Sequence, residues 1–122
     1  MLKNDLYIIK NISGTGSSLE AVIELNEKHK IFEGHFPGQP VLPGACMLEI
    51  TRELFETFLE KTLQLVQADD IRFSAMVDPI TNKELRFSIQ YKLAEIQYIN
   101  INAKILKPDD VVCCKIKASF TS

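Results

Sequence analysis

Four consecutive segments in the second half of this chain alternate apolar and polar residues with a period of two, a pattern that folds into sheet with one buried face. Ile71, Phe73, Ala75 and Val77 alternate with Asp70, Arg72, Ser74 and Asp78, broken only by Met76. Leu85, Phe87, Ile89, Tyr91 and Leu93 alternate with Glu84, Arg86, Ser88, Gln90 and Lys92. Ile99, Ile101, Ala103 and Ile105 follow, and then Val112, Cys114, Ile116, Ala118 and Phe120. Short links join these runs, including Lys107-Pro108-Asp109-Asp110, where proline suits the second position of a turn. Links this short imply antiparallel neighbours.

The first half adds strands at about residues 7–12 and 18–26, separated by the turn Ser13-Gly14-Thr15-Gly16-Ser17. That Gly-x-Gly lacks the third glycine, the lysine and the following helix of a phosphate loop, so it reads as a turn alone. One helix stands between the early and late strands, from about Gly44 to Val66, with Pro43 just ahead of it, where a missing N–H is harmless. Leu48, Leu54, Phe55, Phe58, Leu59 and Leu63 form its apolar face, and Glu49, Arg52, Glu53, Glu56 and Glu60 its polar stripe. One long helix packed on about six antiparallel strands is an α+β domain.

A length of 122 residues gives one domain, 1–122, with a core of its own. A net charge of −2 provides no basic field for nucleic acid, and no apolar stretch is long enough to span a bilayer. No apolar run precedes a small-residue cleavage site near the N-terminus, so export is not expected. Three cysteines without a Cys-x-x-Cys or a Cys/His cluster argue against zinc, and a reducing cytoplasm is expected. Cys113 and Cys114, adjacent in a strand, point to opposite faces.

The residues from Phe32 to Gly44 carry the chemistry: three of the five prolines and three of the five glycines fall here. Prolines 37, 40 and 43 fix φ, and glycine gives the backbone room. His35 is the side chain in this stretch that exchanges a proton near neutral pH. Gly44 leaves a first-turn N–H uncovered where the helix dipole favours negative charge, and Glu49 follows within two turns.

The run His35-Phe36-Pro37-Gly38-Gln39-Pro40-Val41-Leu42-Pro43-Gly44, with Glu49 five residues on, resembles the hot-dog-fold 3-hydroxyacyl-acyl-carrier-protein dehydratases of fatty acid synthesis. Their motif is His-Phe-Pro-Gly-x-Pro-x-x-Pro-Gly followed by an acid on the central helix, and the α+β architecture above matches their sheet wrapped round one helix. The resemblance implies a (3R)-3-hydroxyacyl thioester on acyl carrier protein, dehydrated reversibly to the trans-2-enoyl thioester. It makes His35 the base for the α-proton, the Gly44 N–H the donor to the enolate oxygen and Glu49 the acid for the departing hydroxyl. Phe36, Pro37, Gly38, Pro43 and Glu53 would line the substrate. No metal or nucleotide is needed. In this family histidine and acid come from different subunits, implying a homodimer or a trimer of dimers.

The chain departs from the family pattern where a Pro-His-Arg-Tyr-Pro-Phe-like stretch would precede the first strand, and it is correspondingly short. Glu53 stands where many members have glutamine, and Asp78-Pro79-Ile80-Thr81-Asn82-Lys83 replaces a Pro-Gly-Asp turn. With two carboxylates one helical turn apart, either Glu49 or Glu53 could take the proton. The departures imply a divergent member, in fatty acid or in specialised acyl or polyene synthesis. A hot-dog thioesterase and a silent acyl-binding or heterodimer subunit are the rival readings. Cys46 reads as a small core residue and His29 as a solvated loop residue.

Overall fold

The computed structural model describes residues 2–33, 41–94 and 98–121. Strands β1 (Tyr7–Gly14) and β2 (Ser18–Leu25) form a hairpin, followed by a 3-10 turn (Lys30–Phe32) and helix α1 (Gly44–Leu59). Strands β3 (Gln64–Phe73), β4 (Glu84–Ala94), β5 (Tyr98–Leu106) and β6 (Val112–Thr121) complete the chain. All six lie in one sheet in the order β1-β2-β4-β5-β6-β3, each pair antiparallel. This is the expected α+β hot-dog arrangement, one sheet around, among the described residues, one α-helix.

The period-two pattern explains the core. Leu85, Phe87, Ile89 and Tyr91 of β4 point inward with Ile101, Ala103 and Ile105 of β5 and Ile116, Ala118 and Phe120 of β6. Met47, Ile50, Leu54 and Phe55 of α1 close onto them. The Phe55 and Tyr91 rings meet edge to face, with centroids 5.3 Å apart at 86°. Both sequence-derived turns form. Thr15 Oγ1 accepts from the Ser17 and Ser18 N–H groups. The 107–110 turn closes with Asp110 N–H to Lys107 O at 2.9 Å, Asp110 taking φ 67°. Gly14 is required by packing, because a Cβ there would stand 2.8 Å from the backbone oxygen of Ser18.

Three expectations need correction. The helix ends at Leu59, with Glu60 in the left-handed region, rather than at Val66. Leu59, Leu63 and Val66 fit a helical repeat, but Gln64 and Leu65 find ladder partners in Thr121 and Phe120 of β6. The first of the four late strands, β3, therefore runs from Gln64 and stops at Phe73, short of Asp78. There the Cys113 carbonyl, in a bulge of β6 against β5, accepts from both Ser74 and Ala75 N–H. The same bulge buries Cys113 along with Cys114, its Sγ 3.3 Å from Ile105 O. His29 is not a solvated residue: its Nδ1 caps the 3-10 turn and its Nε2 lies 3.0 Å from Asp5 Oδ2.

The two sheet edges differ. β1 carries a bulge between Ile9 and Asn11, and Lys10 lies within 4.0 Å of both Glu24 and Glu84. β3 is exposed along most of its length, presenting Leu65, Val66 and Phe73.

Candidate active site

Helix α1 starts at Gly44, with Pro43 as its N-cap at φ −63° and ψ 145°, and among the described residues the cap side chain makes no hydrogen bond to the first turn. Leu42 N–H donates to Val77 O at 2.9 Å, pinning the approach to the helix against the segment after β3. The Phe73 ring lies over Gly44, so that a Cβ there would be 2.1 Å from Phe73 Cζ. A groove of about 350 Å³ opens here, lined by Leu42, Pro43, Gly44, Met47, Phe73 and Val77 among others. Phe73 itself is 55% exposed at its rim. An uncapped first turn beside an apolar groove is suited to holding a carbonyl oxygen as it gains charge.

His35, Phe36, Pro37 and Gly38 lie outside the described residues. The chain on either side is anchored in the core through Phe32 and through Val41 and Leu42.

The sequence treats Glu49 and Glu53 alike, but the fold separates them. Glu53 is fully buried despite its place in the helix's charged stripe, because the N-terminal segment crosses that face. Its Oε2 accepts from Leu2 N–H at 2.9 Å, and its Oε1 from Lys3 N–H at 2.9 Å and Tyr7 Oη–H at 3.0 Å. Burial, then the Glu53 carboxylate, push the Tyr7 phenol above the usual tyrosine range. A raised folded value stabilises the protein below pH 10, the group's ordinary value, and that contribution is lost as pH rises further. Wild type should therefore lose stability above about pH 10 more steeply than Tyr7→Phe, by up to about 1.4 kcal/mol per pH unit. Denaturant midpoints on either side of that pH check this, and parallel curves would refute it.

Glu49 keeps a side chain 38% exposed and is held by Arg52. Arg52 Nε donates to Glu49 Oε1 at 2.9 Å and Nη2 reaches the same oxygen. The bond to Glu49 outweighs burial and raises the Arg52 pKa above its ordinary value. Cys46 is buried, and burial followed by the Glu49 charge pushes its thiol up, which suits a core residue and not a nucleophile. Phe73 and Arg52 were not singled out for the site from sequence. The Glu49–Arg52–Glu56 spacing of i, i+3 and i+4 was a legible signal for the second, and nothing local announced the first.

A family model for ApeI-like proteins, described as ApeI dehydratase, matches residues 11–115. The chain belongs to the ApeI-like dehydratase family. Membership places it among hydro-lyases, and the matched span includes His35 to Glu49. Among curated proteins, this ApeI-like chain is 28% identical over 109 residues to the 3-hydroxyacyl-[acyl-carrier-protein] dehydratase FabZ of Shewanella sediminis, covering 81% of this chain and 69% of that one. The FabZ of Lactobacillus helveticus is 25% identical over 112 residues, covering 86% and 74%. Among solved structures, the dehydratase heterocomplex ApeI:P from Xenorhabdus doucetiae matches with a TM-score of 0.69 at 16% identity, over 94% of this chain and 97% of that one. An uncharacterised Erwinia carotovora protein matches at 0.70 and 24%, over 93% and 92%. These structures share the fold. Among the described residues of this ApeI-like chain, no helix is long and apolar enough to cross a membrane.

Proposed function

We infer that the chain dehydrates (3R)-3-hydroxyacyl thioesters carried by acyl carrier protein to trans-2-enoyl thioesters, reversibly. The observation that carries this is the run from His35 into the helix start at Gly44, with Glu49 five residues further on, inside the span matched by the dehydratase family. His35 takes the α-proton as the electron pair moves into the thioester carbonyl. The Gly44 N–H binds the resulting enolate oxygen, helped by the helix dipole. The enolate collapses to the 2,3-double bond, expelling the 3-hydroxyl, which leaves as water with the proton from Glu49. The three donors on the oxygens of Glu53 support giving that role to Glu49.

The edge of β3, unpaired among the described residues and exposing Leu65, Val66 and Phe73, supports assembly through that strand into a homodimer. In the dimer His35 of one protomer meets Glu49 of the partner subunit. Mixing inactive His35→Ala and Glu49→Gln protomers should then restore about a quarter of wild-type activity, since half the dimers are mixed and each has one intact site. No recovery after subunit exchange would place both groups in one chain.

The direct test follows the loss of enoyl absorbance as purified protein hydrates a trans-2-enoyl pantetheine thioester. A folded wild type silent across chain lengths and on carrier protein would overturn the reading, leaving a silent partner subunit. Turnover of saturated acyl thioesters instead would make it a thioesterase. In Gly44→Ala the nearest contacts of the new methyl are all at the end of the exposed Phe73 ring, which can swing away. Stability should stay within about 1 kcal/mol of wild type, while turnover falls about tenfold or more as the methyl crowds the N–H. Unchanged turnover would remove Gly44 from the mechanism.

A further inference from the structure

We infer that Arg52 is the positioning residue for Glu49, fixing that carboxylate through a guanidinium bridge to the main chain just before β3. The inference rests on the dehydratase reading above, in which Glu49 supplies the proton to the leaving hydroxyl.

Helical spacing puts Glu49, Arg52 and Glu56 on one face of α1. Such a triplet on an open surface is labile and contributes little. Here the far side of the guanidinium is tied down. Arg52 Nη1 donates to Glu56 Oε2 at 2.6 Å and to Leu63 O at 2.9 Å. The Leu63 N–H donates to the same Glu56 oxygen at 2.7 Å. The Arg52 side chain is 21% exposed and that of Glu56 only 12%. Leu63 is itself buried in the core. The planar guanidinium therefore has its Nη1 end fixed to the turn between α1 and β3, and its Nε–Nη2 end presented to Glu49 Oε1.

Two consequences follow for Glu49. Its Oε1 is held in one place, while Oε2 takes no part in the bridge and is the oxygen left to meet a substrate hydroxyl. The position of the carboxylate is also set from outside its own helix, by the chain that leads into the edge strand. A catalytic group needs placement to within about 0.5 Å. A partly exposed glutamate with three rotatable bonds does not achieve that unaided.

The test uses the full chain in the enoyl hydration assay, comparing wild type, Arg52→Met, Arg52→Lys, Glu49→Gln and the Arg52→Met/Glu49→Gln double variant. Arg52→Met should lower kcat by about 10- to 100-fold with KM changed less than about threefold. In the Glu49→Gln background the same substitution should change kcat by less than about twofold, because the group it positions is already disabled. Arg52→Lys keeps the charge but not the fork, and should recover only part of the loss. Should Arg52→Met fail to fold, Glu56→Gln loosens the same bridge, and its smaller loss should likewise vanish beside Glu49→Gln. A purely structural arginine would instead multiply the Glu49→Gln defect by the same factor as in wild type. That result, or a wild-type kcat in Arg52→Met, overturns the inference alone. A folded wild type without turnover overturns it together with the dehydratase reading.

Discussion

Replacing His35 with alanine should cut the rate of enoyl thioester hydration by about two to four orders of magnitude, the range spanned by general acid–base catalysis. The α-proton of a thioester is acidic enough for imidazole only while the enolate oxygen is stabilised, so base and first-turn N–H act on the same electron pair. Removing the base leaves the Gly44 N–H and the groove in place, and binding should survive. The defect belongs in kcat, with KM for the pantetheine thioester close to wild type. The second histidine, His29, is committed to Asp5 and to the Ile31 N–H and is not available as a substitute base. A loss smaller than about tenfold would rule out proton abstraction by His35. It would turn attention to the rival readings.

Glu53→Ala should destabilise the fold by about 2–4 kcal/mol, at the upper end of single-substitution effects. Three donors converge on this carboxylate, and its removal strands the buried Tyr7 hydroxyl outright. The Leu2 and Lys3 amides can regain water by peeling away, but only by releasing the N-terminal segment from α1. Chemical denaturation should show a lower midpoint, and amide exchange should accelerate first at residues 2–7. Glu53→Gln keeps the volume but turns an NH₂ donor toward other donors, so it should lose most of the same stability. Full stability in both variants would mean that the clamp is not formed in solution. Turnover measured below the lowered midpoint should remain, since the proposed reaction does not use this carboxylate.

The sheet was legible because a half-buried strand writes its burial into alternate letters, and β4, β5 and β6 follow that rule almost residue by residue. The end of α1 was not legible. Leu59, Leu63 and Val66 satisfy a helical period, and only the pairing of Gln64 with Thr121, far along the chain, decides for strand. The site divides in the same way. His35, Gly44 and Glu49 stand in a local run whose proposed roles come from its resemblance to the dehydratase motif. Glu53 could not be told from Glu49 by any local rule, since a charged stripe looks the same whether water or an N-terminal segment covers it. Phe73 sits on the inward beat of its strand, yet ends exposed above Gly44 because the ladder stops there. Contacts between segments distant in sequence account for every one of these misses.

The unequal edges of the sheet bear on how assembly stops. A sheet attractive at both margins can add copies without limit and become a fibre. Here β1 carries Lys10 beside two glutamates, while β3, irregular at two places against β6, exposes Leu65, Val66 and Phe73. In the proposed dimer two molecules meet through β3, and the edge left outward on both sides is β1 with its charged Lys10, Glu24 and Glu84. On that proposal, growth would end after a single addition.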